Sequence, residues 1–181
     1  MKYFTISELT ASATAQREGI DNRPTESAYH LLHVLVDQLL DPIREAWGEP
    51  IVVSSGYRCK ELNALVGGAK NSHHMLGCAA DLIGGLPLNS QARLLNEAEA
   101  SAVATDAPLA SARRGGTSKS AENESEIPKA KTNKDLFDFI VRMQQEGKIR
   151  FTQLILEGGG RWIHISYVPS DLRCQVIGDS L

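Results

Sequence analysis

The stretch Ser72-His73-His74-Met75-Leu76-Gly77-Cys78-Ala79-Ala80-Asp81 carries an imidazole and a carboxylate, His74 and Asp81, seven positions apart on either side of a glycine. Fully extended, this spacing separates the two residues by about 23 Å, whereas two ligands of one metal ion each lie within about 2 Å of it. The chain must therefore reverse, and Gly77 is best able to reverse it because glycine adopts positive φ without steric penalty. We interpret the stretch as half of a zinc site, with Asp81 in a strand over residues 79–83.

A third ligand is expected from another part of the chain, because two ligands do not complete a tetrahedral site. The segment Arg161-Trp162-Ile163-His164-Ile165-Ser166-Tyr167 alternates strictly. A strand with this alternation turns its two isoleucines to one face and Trp162, His164 and Ser166 to the other. The pattern predicts that His164 is the third ligand, with a fourth position left to water or substrate.

Three motifs together resemble one family of enzymes. They are Ser-Gly-Tyr-Arg at residues 55–58, Ser-x-His-x-x-Gly-x-Ala-x-Asp at residues 72–81 and Trp-Ile-His at residues 162–164. In this order they resemble the zinc D-Ala-D-Ala carboxypeptidase and peptidoglycan endopeptidase family, of peptidase M15A type, from about Phe4 to Tyr167 apart from an interruption near residues 100–132. The resemblance implies the Hedgehog/DD-peptidase fold, Zn²⁺ as cofactor and peptidoglycan stem peptides containing D-amino acids as substrate. The choice between carboxypeptidase and endopeptidase stays open.

The resemblance also suggests roles for two charged residues. It assigns the arginine of the Ser-Gly-Tyr-Arg motif, here Arg58, to substrate binding and transition-state stabilisation; a guanidinium suits this because it is always ionised and offers a planar fork of donors. Glu157 is the nearest acidic candidate for the general base that a zinc peptidase needs. The resemblance supports a glutamate there, although Thr152 stands where an aspartate is expected. His73 is an alternative proton carrier.

The register of a predicted hairpin decides whether Glu157 can act. Residues 153–167 are predicted to form two antiparallel strands joined through three glycines. Cross-strand partners share a face, so an even number of loop residues places Glu157 on the face of Trp162 and His164. An odd number points it away. In that case the rival interpretation gains, a non-catalytic zinc-containing binding module on the same fold.

Size and composition exclude several classes of protein. A chain of 181 residues with 42% apolar content suits a single domain spanning residues 1–181. The net charge of −3 gives no reason to expect nucleic-acid binding, and no apolar run is long enough for stable insertion into a membrane. Size and composition do not predict an oligomeric state. The N-terminus lacks the apolar region of a secretory signal, so we expect synthesis in the cytoplasm and release to the cell wall by lysis or a non-standard route.

The three cysteines occur at spacings unlike any zinc ribbon, which predicts free thiols, Cys78 being a small apolar filler. Hydrophobic periodicity predicts an amphipathic helix from Thr25 that bends at Asp41-Pro42 and ends at Trp47-Gly48. Residues 51–55 have the composition of a central strand. Further short helices are expected at residues 60–66 and 89–100, with a second amphipathic helix at residues 134–147.

Residues 101–132 are rich in Ala, Ser, Thr, Lys and Glu and contain almost no large apolar side chains. This composition predicts a disordered insertion. The whole pattern predicts an α+β domain with a central, mainly antiparallel sheet flanked by helices. The zinc site would be open rather than purely structural, because only three strong ligands are visible and structural sites are usually closed by four.

Overall fold

The computed structural model describes residues 1–84 and 131–178. Its α-helices are α1 (Ile6–Thr10), α2 (Ala13–Glu18), α3 (Glu26–Leu35), α4 (Asp41–Trp47), α5 (Lys60–Leu65) and α6 (Asn133–Gln145), with a π-helical turn at Val36–Leu40 and a 3-10 turn at His73–Leu76. Its strands are β1 (Ile51–Ser55), β2 (Ala79–Gly84), β3 (Gln153–Glu157), β4 (Trp162–Ser166) and β5 (Gln175–Ile177). The helix predicted at residues 89–100 lies outside the described residues, and so does the insertion predicted at residues 101–132 except for its last two residues.

The five strands form one sheet in the order β1-β2-β4-β3-β5. The pairs β1–β2, β2–β4 and β3–β4 are antiparallel, and β3–β5 is parallel. The predicted α+β class with a mainly antiparallel sheet is confirmed. The prediction that β1 is a central strand is wrong for the described part of the chain, in which β1 lies at the edge. A short β-branched run is compatible with either position, because the edge is decided by pairing and not by the strand's own composition.

One face of the sheet forms the core with the helices. Leu82 of β2, Leu154 of β3 and both isoleucines of β4 are fully or almost fully buried there against apolar side chains of α3, α4 and α6. Burial of each such side chain stabilises the fold by about 1.5–3 kcal/mol. The other face of the sheet is therefore left for the polar residues that alternate with the core residues.

The helix α6 begins at a capping box in which Thr132 and Asp135 bond each other's main-chain N–H.

The predicted amphipathic helix is interrupted as expected near Pro42. The π-helical turn lies just before this proline, and the N–H of Asp41 donates to the carbonyl of Val36. Proline has no N–H and crowds the preceding turn, so the wider turn accommodates it. Gly48 ends α4 in the left-handed conformation. None of the helices in the two described ranges is both long enough and apolar enough to cross a membrane.

The N-terminal helices lie against the end of β1. Thr5 caps α1 and Ser12 caps α2 with their side-chain oxygens. The carbonyl of Leu9 accepts from the N–H of Tyr57 at 2.7 Å. A Cβ on Gly56 would meet that same carbonyl oxygen at 2.1 Å, so only glycine permits the approach. This contact holds the segment of residues 5–14 opposite β1.

Candidate metal centre

Three predicted ligands, His74, Asp81 and His164, meet on the polar face of the sheet. The Nε2 atom of His74 lies 3.1 Å from Nδ1 of His164, and both nitrogens face Oδ1 of Asp81, at 3.2 and 3.0 Å. Asp81 and His164 are direct cross-strand partners in β2 and β4. His74 comes from the 3-10 turn. We refer to these three residues as the metal triad.

The turn that brings His74 back to β2 depends on Gly77. This glycine has φ of 74°, which confirms the predicted reversal at positive φ. A Cβ at this position would meet the carbonyl oxygen of Ala28 in α3 at 2.3 Å. Ser72 caps the same turn by accepting from the N–H of His74 at 3.3 Å. The turn is therefore held from both ends and pressed against a helix.

The imidazole of His74 is oriented by the main chain at the end of β1. Its Nδ1 lies 2.6 Å from the carbonyl oxygen of Gly56. A carbonyl only accepts, so Nδ1 carries the proton and Nε2 presents its lone pair to the other two members of the triad. This is the arrangement in which a buried histidine is held ready to bind a metal ion.

The Asp81 carboxylate is kept ionised by its neighbours. Burial raises the pKa of Asp81, but the close imidazoles of His164 and His74 outweigh this and hold the pKa well below its ordinary value. Its second oxygen, Oδ2, accepts from the Arg58 guanidinium at 3.2 Å. Arg58 thus lies beside the triad, at the position where the sequence predicts a residue for binding an anion.

The donor set fits a zinc ion. Two imidazole nitrogens and one carboxylate oxygen are the ligands of open hydrolytic zinc sites. Ligands at about 2.0–2.1 Å from a tetrahedral ion are about 3.3 Å apart, and the three separations in the triad are 3.0, 3.1 and 3.2 Å. With His74 protonated at Nδ1, its Nε2 and the carboxylate oxygen are both acceptors facing each other, a pairing that a cation satisfies. The role of the triad as ligands stays a prediction.

Glu157 lies on the face of the sheet that carries the triad. It is the cross-strand partner of Trp162, so residues 158–161 form a four-residue loop, the even number that favours the enzyme interpretation. Its Oε2 accepts from the indole N–H of Trp162 at 2.9 Å. Trp162 is two residues along β4 from His164, which corresponds to a step of about 7 Å. Glu157 is therefore near the triad without belonging to it.

His73 points to a different partner from its neighbour His74. Its Nδ1 lies 3.0 Å from the hydroxyl of Ser166, a buried residue at the end of β4. Burial lowers the pKa of His73, and the nearby His164 lowers it further. The side chain links the turn that carries His74 to β4, and its position suits this link better than the role of proton carrier.

Thr152 and Cys78 are both buried in the interior of the protein. The hydroxyl of Thr152 accepts from the N–H of Val168 at 2.7 Å, and the residue is fully buried. An aspartate there could accept the same bond, so the departure from the expected pattern leaves this contact intact. Burial raises the pKa of the Cys78 thiol to about 11, which agrees with the predicted apolar filler. All three cysteines are free.

Asn22 is a supporting residue that the sequence did not reveal. Its amide nitrogen donates to the carbonyls of Thr10 and Tyr57, and its Oδ1 accepts from the N–H of Cys59 at 2.8 Å. These bonds hold the main chain on both sides of Arg58. In the sequence Asn22 is visible only as part of a helix-breaking segment, because its partners are up to 37 positions away.

A groove of about 840 Å³ opens beside the triad. Arg58 and Asp81 line it where it meets the metal centre. Four consecutive residues of β1, from Val52 to Ser55, form one wall, and residues between Thr5 and Thr14 form the other. The groove is large enough to hold several residues of a peptide, and one end of it reaches the triad.

Comparison with known proteins gives two findings. The model of the family described as peptidase M15 matches residues 2–107, more than half of the chain, a range that includes Arg58, His74 and Asp81. A zinc D-Ala-D-Ala carboxypeptidase of Streptomyces albus G is 52% identical over 44 residues, which are 24% of this chain and 17% of that protein. The matched stretch therefore spans less than a fifth of this curated relative, and His164 and Glu157 lie beyond the range of the family model.

Proposed function

The chain belongs to the peptidase M15 family, and we propose that it is a zinc-dependent peptidase that hydrolyses peptide bonds in peptidoglycan stem peptides. The observation that carries the proposal is the convergence of His74, Asp81 and His164 at mutual distances of 3.0–3.2 Å. The family resemblance of the motifs and the name of the partial relative support the substrate class. Action as a D-Ala-D-Ala carboxypeptidase or as an endopeptidase are two forms of this proposal.

In this proposal the triad would hold the ion, with His74 bound through Nε2 and His164 through Nδ1. The chemistry that zinc supplies when bound is activation of water and polarisation of the scissile carbonyl. Arg58 contributes a positive charge that would bind an anionic group of the substrate or the charge that develops on the carbonyl oxygen. Its contact with Asp81 keeps the guanidinium directed at the centre.

Glu157 would act as the general base, taking a proton from water and returning it to the leaving amine. Its position on the face of the triad supports this role, and the indole N–H of Trp162 restrains the carboxylate. In this proposal Arg58 and Glu157 would approach the reacting bond from different elements, Arg58 from the segment after β1 and Glu157 from the end of β3.

The test is an assay of the purified protein for bound zinc and for cleavage of a stem pentapeptide ending in D-Ala-D-Ala, with products identified by mass spectrometry. Free D-Ala would indicate a carboxypeptidase, and internal fragments would indicate an endopeptidase. Glu157→Gln should retain zinc and lose about 10²–10⁴-fold in kcat. The matched control is Glu146→Gln, which makes the same change at an exposed site. Bound zinc without turnover of any stem peptide would favour the non-catalytic binding module.

A further inference from the structure

The free edge of the sheet lies inside the groove. Among the strands that the structure describes, β1 lies at one edge of the sheet, with β2 as its neighbour. Side chains of a strand alternate between the two faces of a sheet, so a groove over one face touches every second residue. Here four consecutive residues, from Val52 to Ser55, line the groove. The groove therefore runs along the edge of the strand and meets its main chain.

The register identifies which main-chain groups face outward. The N–H of Gly84 donates to Asn133, whose amide also bonds the carbonyls of Gly160 and Arg161 just before β4. Gly84 therefore directs its main chain toward the side of β4, and so does Leu82, because this direction alternates along a strand. The partner of Leu82 in β1 is Val53.

In an antiparallel pair, two opposed residues that do not bond each other direct their N–H and C=O away from one another. Since Leu82 bonds toward β4, Val53 directs both groups away from β2 and toward the groove. Within residues 1–84 and 131–178, no strand pairs with this edge. The register shifts between Val53 and Ser55, an irregularity of a kind that often lies next to active sites.

We propose that the substrate binds as an extended peptide that pairs with the main chain of Val53 at the free edge of β1. This inference rests on the proposed function and specifies how that site holds its substrate. An edge strand with unpaired N–H and C=O groups is a template for one more strand. The same groove contains Asp81 and Arg58, so a peptide paired at Val53 extends directly to the metal triad.

The pairing also suits the chemistry of the proposed substrate. One residue facing Val53 exchanges two main-chain hydrogen bonds, and these involve no side chain, so an extended residue of either chirality can form them. The opposite wall of the groove carries alanine, serine and threonine side chains together with Glu8. Most of these side chains are small, which suits a peptide whose own side chains are small, as those of alanine are.

The first experiment measures KM and kcat for a stem pentapeptide ending in D-Ala-D-Ala with the zinc-loaded parent, Val53→Pro and Val53→Ala. Proline removes the outward N–H and is tolerated in an edge strand where that N–H does not pair within the sheet. Alanine shortens the same side chain and keeps the N–H. We expect KM to rise roughly 3–10-fold in Val53→Pro, with zinc content unchanged, and to stay within about twofold in Val53→Ala. An unchanged KM in a folded Val53→Pro would overturn the inference and leave the peptidase proposal standing.

The second experiment does not depend on turnover or on the proline variant. Amide hydrogen exchange at Val53 is followed by NMR in the zinc-loaded Glu157→Gln variant, with and without the same pentapeptide. We expect the Val53 amide to exchange rapidly in the free protein and at least tenfold more slowly with peptide at saturation. No change in exchange at saturation would overturn the inference. If exchange slows in Glu157→Gln but the zinc-loaded parent does not cleave the peptide, the edge pairing stands and the peptidase proposal is rejected.

Discussion

The metal triad and the carboxylate of Glu157 lie on the same face of the sheet, but they are supported very differently. The triad joins a 3-10 turn, β2 and β4, and its members are held by the carbonyl of Gly56, by Arg58 and by one another. Glu157 is positioned by a local hairpin and by the side-chain hydrogen bond from Trp162. A site supported from several elements is rigid before anything binds, whereas a side chain supported from its own hairpin can still rotate. We therefore expect changes to the triad to have large effects and loss of the hydrogen bond that restrains Glu157 to have a small one.

The largest effect is expected from removal of a triad member. His164→Ala should lower zinc affinity by more than the roughly 10–100-fold that loss of a ligand-orienting neighbour costs, and hydrolysis of a stem peptide should fall to background. Competition with a chromophoric chelator measures the affinity. The control is His30→Ala, an exposed histidine on α3, which should bind zinc like the parent. Parent-like affinity in His164→Ala would remove this residue from the site.

The second effect tests the turn that carries His74. Gly77→Ala should lower the free energy of unfolding by more than about 2 kcal/mol, because a left-handed non-glycine residue costs about 1–2 kcal/mol and the new Cβ also meets the carbonyl of Ala28. Urea unfolding measures this.

Gly147→Ala is the matched control, since Gly147 has φ of 70° and a Cβ added there would meet nothing within 4 Å. It should lose only the conformational part, about 1–2 kcal/mol. Equal losses in the two variants would mean that the close approach to α3 adds nothing to the turn's rigidity.

A third change, at Thr152 just before β3, tests whether this residue stabilises the fold without taking part in substrate binding. Thr152→Val leaves the N–H of Val168 without its acceptor, which should cost about 1–3 kcal/mol of stability, while zinc content and KM stay unchanged. Thermal unfolding and the peptide assay together measure this. Thr152→Ser keeps the hydroxyl and should restore most of the loss. A change in KM at full zinc content would instead connect Thr152 with substrate binding.

The smallest effect is expected at the hydrogen bond that restrains Glu157. Trp162→Phe keeps an aromatic ring and removes the indole N–H, so kcat should fall by about 3–10-fold with zinc affinity unchanged. Trp47→Phe is the control, because the indole nitrogen of Trp47 is buried without a hydrogen-bond partner in the described part of the chain. Loss of zinc in Trp162→Phe would contradict the separation between the triad and Glu157.

Much of the architecture could be predicted from the sequence because it depends on local chemistry. Alternation in residues 161–167 assigned His164 to one face and the isoleucines to the other, and Gly77 was identified as the turn from its spacing alone. The breaks at Pro42 and Gly48 follow from the missing N–H of proline and the left-handed tolerance of glycine. Each of these features is set within a few residues, where sequence patterns are informative.

What the sequence by itself determined is therefore which chemical groups are candidates, His74, Asp81, His164 and Glu157, and which face of its strand carries His164. Only the tertiary structure decided the rest: that the loop after Glu157 has four residues, that β1 lies at the edge among the described strands, and that Asn22 supports the segment of Arg58. These outcomes depend on pairing between residues that are distant in the chain. Pairing is chosen by the packing of the whole sheet, which no local pattern contains.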